Sequence, residues 1–173
     1  MKAYLIGLNH NIQYIYDGRP YAPTCFREYI ESAIDQHSIS LIAEELSVEA
    51  IQREKASGSI SHVIAASKGI GHVYADPDFQ TRESLGIPSE ETIKDELGLG
   101  RTLSSEELLR LDQEKVKYHS IREEYWLSQI NEHFGNILFL CGDSHVVGFC
   151  SLLEKRHVET MTLSTNWNAT SNI

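Results

Sequence analysis

The chain has 173 residues, 41% apolar and 23% charged, the balance of an ordinary soluble domain large enough to bury a real core. Its formal net charge of −10, spread along the chain, argues against a nucleic-acid backbone or an anionic membrane as partner. No apolar run reaches bilayer-spanning length, the N-terminus lacks the layout of a signal peptide, and three cysteines, two of them inside apolar runs, suit reduced thiols in a cytoplasmic protein. In that setting the glycosylation pattern Asn168-Ala169-Thr170 reads as chance.

Residues 3–8 form the first apolar run, suited to a central strand, and end in the polar Asn9-His10-Asn11. Residues 11–23 hold Tyr, Gly and Pro and read as a loop able to cover a site. Thr24 can cap a helix over 25–36, with Phe26, Tyr29, Ile30, Ala33 and Ile34 on one face. A second strand over 40–43 runs into Glu44-Glu45-Leu46, and Ser47 can cap a helix through Lys55. Ser57-Gly58-Ser59 is a break, and 60–68 a short apolar helix or turn. A third strand, 72–75, is stopped by Pro77 within Asp76-Pro77-Asp78. Residues 79–103 read as an irregular, lid-like insertion with one helix near 90–97. Ser104-Ser105-Glu106-Glu107 opens a long helix, with the flavour of a capping box, running to about residue 134 with room for a bend.

Residues 137–155 organise the rest. Ile137 to Cys141 is an unbroken apolar run, as in a strand buried on both faces of a parallel sheet, and Gly142 ends it. Asp143 and Ser144 are good N-cap residues, and helical spacing of apolar positions begins after His145. A last strand spans 157–163, and the polar tail from Ser164 frays. Strands alternate with helices, so the expected architecture is a single α/β domain over 1–173. It has three layers: a mostly parallel sheet of about five strands, flanked by helices.

Each of four strands ends in groups able to do chemistry: His10; Glu44 and Glu45; Asp76 and Asp78; Asp143 and His145. In a parallel sheet these ends share one edge, where ligands of open α/β sheets bind. Histidine with carboxylate serves zinc, manganese or iron, or a metal-free acid/base pair. The bland reading makes them caps and turn residues. Gly69-x-Gly71 precedes a strand and lacks a third glycine, so it is no dinucleotide fingerprint, and Ser144 sits in no nucleophile elbow. His62 and His72 read as structural or exposed, Cys25, Cys141 and Cys150 as packing, and arginines such as Arg82 and Arg122 as surface residues or anion clamps.

Gly7-Leu8-Asn9-His10, Glu45-Leu46 and Gly142-Asp143-Ser144-His145, in that order, resemble the TraB/TIKI superfamily, which takes in erythromycin-esterase-like and ChaN-like proteins. Asp76 to Arg82 is similar to that family's Asp-containing segment, and Arg122 to Trp126 to its helical Arg segment. The resemblance spans 5–155; the chain is short for the family, and Ser47 stands where members often carry an acid. It implies a small intracellular hydrolase cleaving an ester or peptide bond. In a metal-dependent version His10, Glu45 and His145 hold one divalent ion (zinc, manganese or iron), with Glu44 or Asp143 as general base. In a metal-free version His10 activates water while Glu45 or Asp143 supports the imidazolium. Asp76, Arg82 and Arg122 line the substrate side, with an arginine on an anionic group or oxyanion, and the Gly142 turn offers backbone donors. The alternative is a non-enzymatic sensor binding a small ligand, metal or haem in the same cleft. Self-association stays open.

Overall fold

The computed structural model describes residues 1–17, 19–20 and 23–168. The strands are β1 (Lys2–Leu8), β2 (Tyr14–Tyr16), β3 (Arg19–Pro20), β4 (Ile39–Glu44), β5 (Gly58–Ser59), β6 (Gly71–Tyr74), β7 (Asn136–Gly142) and β8 (Glu159–Trp167). The helices are α1 (Thr24–His37), α2 (Val48–Arg53), α3 (Ile60–Lys68), α4 (Phe79–Ser84), α5 (Glu90–Leu97), α6 (Ser105–Val116), α7 (His119–Ile130) and α8 (Val146–Lys155). Two single 3-10 turns, His10–Ile12 and Asp143–His145, follow β1 and β7.

Five strands form one sheet in the order β6-β4-β7-β1-β8, every pair parallel. The expected three-layer α/β fold is therefore present. On one face, Tyr4, Ile6, Leu8, Ile42, Leu138 and Leu140 pack against α1 and α3. On the other, Leu5, Ala43, Phe139 and Cys141 pack against Trp126, Leu127 and Ile130 of α7 and Phe149 and Leu153 of α8. Burial on both faces is why these strands read as continuous apolar runs.

Several boundaries differ from expectation. The segment read as a covering loop contains β2 and β3, which join β5 in a small antiparallel sheet ordered β3-β2-β5. Its register sets Tyr14 opposite Ser59, so the Ser57-Gly58-Ser59 break is itself a paired strand. Helix α1 begins without a side-chain cap, after Pro23, whereas Ser47 caps α2 as expected by accepting from Ala50 N–H. The insertion at 79–103 carries α4 as well as α5. The single long helix is two, parted at Lys117 and Tyr118, because its apolar residues serve different partners. Leu111 of α6 is buried while Leu108, Leu109 and Val116 are exposed, whereas α7 lies on the sheet. The Ser104–Glu107 capping box is complete. Strand β8 continues through Trp167, buried against Phe26, so the tail from Ser164 is ordered to that point. Ala169 and Thr170 of the glycosylation pattern lie outside the described residues. No helix among the described residues is long and apolar enough to cross a membrane.

Candidate functional site

The carboxyl ends of β6, β4, β7 and β1 are neighbours, and they deliver Asp76, Glu45, Gly142 and His10 to one edge. Glu44 and Glu45 part company there. Side chains alternate across a strand, so Glu44 turns to the α1/α3 face while Glu45 turns to the α7/α8 face.

Glu45, 5% exposed, sits at the centre. Its Oε1 accepts from Arg122 Nη2 at 2.5 Å and its Oε2 from Gly142 N–H at 2.7 Å. His10 Nε2 lies 3.5 Å from Oε2, and His145 Nε2 lies 3.6 Å from Oε1. Burial opposes the charge on Glu45, but Arg122 and His10 outweigh it and hold the carboxyl well below its usual range. Arg122 continues the chain. Its Nη2 and Nε donate to Asp76 Oδ1 at 2.7 and 3.1 Å, and Trp126 Nε1 donates to the same oxygen at 3.0 Å. Asp76 Oδ2 accepts from Arg82, whose Nε also donates to the Pro77 carbonyl at 3.1 Å. Both arginines, read from sequence as surface residues or substrate clamps, are thus committed to Asp76, and Arg122 to Glu45 as well.

His10 is the member of this chain that water reaches best, with 35% of its side chain exposed. Burial works against charge on the ring, but the Glu45 carboxylate, helped by Gln13, carries its pKa up to about 9. His10 is therefore an imidazolium at neutral pH. The motif glycine lies against it: a Cβ on Gly142 would stand 3.2 Å from His10 Nε2 and 3.4 Å from Glu45 Oε2. The Gly142 N–H, expected as a free donor, is directed to Glu45.

His145 is buried at 3% exposure. Its Nδ1 lies 2.9 Å from Glu123 Oε1, its Nε2 lies 3.3 Å from Arg122 Nη1, and its ring lies against that of His119, tilted by 33° with centroids 3.7 Å apart. Burial, then His145 and Arg122, pull the His119 pKa down to about 4, leaving a neutral imidazole. Asp143 is exposed and accepts from Asn166 Nδ2 at 3.2 Å, and it does not cap α8.

Glu44 belongs to a second cluster across the sheet. It accepts from Gln13 Nε2 at 2.8 Å, from the Ser59 hydroxyl and from His72 Nε2 at 2.7 Å. Sequence reasoning missed Gln13, inside an expected loop, and His119 and Glu123, inside the expected long helix. The His-x-x-x-Glu spacing of the last two puts both on one helical face and was there to be read.

Two donor sets bear on a metal. His10, Glu45 and His145 do not fit one, because the Arg122 guanidinium already fills the charge position between Glu45 and His145. His119, Glu123 and His145 can hold a metal ion, since one donor atom of each lies within 4.8 Å of the others. Beside Asp76 opens a groove of about 550 Å³ lined by Ser47, Glu49, Tyr74, Phe79 and Tyr125, within the size range of small-ligand sites.

The fold and site define an α/β protein with a buried Glu–Arg–Asp chain, ending at a water-accessible histidine, on the carboxyl edge of a parallel sheet. Comparisons with protein-family models, curated proteins and solved structures find no match.

Proposed function

We propose that the chain is a small hydrolase, cleaving an ester or peptide bond, in which His10 is the reacting group. The observation that carries this is the pairing of an accessible imidazole with a buried carboxylate that Arg122 holds ionised. Pairing a titratable group with fixed buried charges is how enzymes tune acids and bases. With a pKa of about 9, His10 works as a general acid at neutral pH: as the tetrahedral adduct of water and the carbonyl breaks down, its proton passes to the leaving-group atom, and the proton released by the added water restores the imidazolium. Glu45 orients the ring and stabilises the imidazolium, and Arg122 and Asp76 hold Glu45 in place. The TraB/TIKI resemblance supports this reading, since its three motifs fall at the ends of the adjacent strands β4, β7 and β1. The free thiols of Cys25, Cys141 and Cys150 support a cytoplasmic setting. The test is a screen of aryl esters and short peptides with the wild-type protein and His10→Ala. Turnover that His10→Ala lowers by about 10²-fold or more supports the acid role. Turnover unchanged in that variant removes it.

The second reading is a metal-binding protein without catalysis, favoured by the His119–Glu123–His145 group. Two imidazoles and a carboxylate suit zinc, manganese or iron(II). Elemental analysis of protein purified without a metal-affinity tag tests it. Near-stoichiometric metal lost in Glu123→Gln supports this reading, and no metal uptake from any of the three ions removes it.

A further inference from the structure

A histidine exchanges protons through the ring nitrogen that is not tied up in a short hydrogen bond. The Nδ1 of His10 lies 2.8 Å from Gln13 Oε1. A glutamine amide could face the ring with its oxygen or its nitrogen, and the choice decides which tautomer is stable. Here Gln13 Nε2 donates to Glu44 Oε2 at 2.8 Å, and a carboxylate only accepts. Turning the amide over would set oxygen against oxygen in a site where Gln13 and Glu44 are both 0% exposed.

The neighbours of Glu44 leave no freedom to rearrange. Its carboxylate also receives the Ser59 hydroxyl and His72 Nε2. Pairing of β2 with β5 brings Gln13 and Ser59 to it, with Ile60 N–H donating to the Gln13 carbonyl at 2.8 Å. His72 arrives from β6, the strand paired to β4. Glu44 is thus fixed from three elements, and it fixes Gln13.

We propose that Gln13, locked by Glu44, is a positioning residue that keeps a proton on His10 Nδ1 and so makes Nε2 the nitrogen that gives and takes protons. Nε2 is the nitrogen turned toward Glu45. When the imidazolium donates, the Nε2 proton passes to the acceptor atom of the bound molecule. Nδ1 keeps its proton and its bond to Gln13, and the neutral ring is left as the Nδ1–H tautomer, the minor form of a free histidine. Glu44 therefore serves the site at one remove, through Gln13, from the opposite face of the sheet to Glu45. This rests on His10 being the reacting group, but the tautomer can be read without any substrate.

The experiment is ¹⁵N NMR of the His10 ring in the full chain at pH 10, where the neutral form predominates. In the wild type, Nδ1–H is expected to be the majority form, the 2.8 Å bond to Gln13 outweighing both the free ring's preference for Nε2–H and the pull of Glu45, 3.5 Å from Nε2. An Nε2–H ring overturns the proposal. In Gln13→Leu, and in Gln13→Met should the first not fold, the ring is expected to return to a majority of Nε2–H. A folded variant that keeps Nδ1–H overturns the role of Gln13. In Glu44→Gln the Gln13 amide is released, and the two His10 tautomers are expected to become comparable. A tautomer unchanged there overturns the lock. Hydrolysis is not measured in any of these arms, so failure of the hydrolase reading leaves the result intact, and failure here leaves that reading to its own test.

Discussion

Arg122 Nη2 lies 2.5 Å from Glu45 Oε1, with 15% of the arginine side chain and 4% of the glutamate side chain exposed. Removing one partner of such a pair leaves the other charge buried and uncompensated, which costs about 3–5 kcal/mol. Arg122→Met is therefore expected to destabilise the protein by about 3 kcal/mol in urea unfolding, the low end of that range, since Glu45 keeps His10 and the Gly142 N–H while Asp76 keeps Arg82. Glu45→Gln should cost less, because Asp76 still balances the guanidinium. A loss below about 1 kcal/mol for Arg122→Met would mean that water reaches these carboxylates.

The two perturbed histidines give stability two flanks. His10, raised to about 9 from 6.5, holds its proton more tightly when folded. Its contribution is full below pH 6.5 and is lost as pH rises through 9. Solvent reaches 35% of the side chain, so about 1 kcal/mol is a fair discounted size. His119, lowered to about 4 from 6.5, does the reverse: its contribution is full above pH 6.5 and is lost as pH falls through 4. Stability measured against pH should peak near 6.5. His10→Gln should flatten the alkaline flank alone, and His119→Phe the acid flank alone.

The sheet was legible because its strands are buried on both faces, which leaves uninterrupted apolar runs such as Ile137 to Cys141. The converging strand ends followed from parallel order. The sequence reading puts Glu44 and Glu45 in one cleft, although the two-residue period of a strand already divides them between faces. The roles of Arg122 were hidden for a different reason: its partners Glu45 and Asp76 lie 77 and 46 residues away, and nothing local marks an arginine that will be buried by such distant carboxylates. The break before His119 was hidden because α6 and α7 are each adequate helices, and only their packing against different partners separates them.

The two motif glycines should respond differently to alanine. A Cβ at Gly7 would lie 2.1 Å from the backbone carbonyl oxygen of Thr165, which cannot give way without moving β8. Gly7→Ala is expected to cost about 1–3 kcal/mol, as overpacking does, and to lower the melting temperature. At Gly142 the backbone is ordinary, with φ −58° and ψ 145°, and the nearest atom is His10 Nε2 at 3.2 Å. There the His10 side chain can shift. Gly142→Ala should keep most of the stability but weaken the His10–Glu45 contact, lowering the His10 pKa in an NMR titration. Equal melting temperatures for the two variants would contradict this contrast.

Phe79 is 59% exposed at the rim of the groove beside Asp76, where its ring supports no core. Its backbone N–H donates to Glu49 Oε2 at 2.6 Å, a bond that any side chain at this position leaves in place. Phe79→Ala should therefore leave unfolding unchanged within about 0.5 kcal/mol. If the groove receives the part of the substrate that does not react, the same variant should raise KM with kcat unchanged, the pattern of binding energy lost equally from ground and transition states. A fall in kcat with KM unchanged would place Phe79 against the reacting bond instead. No change in either constant would remove the groove from the substrate path.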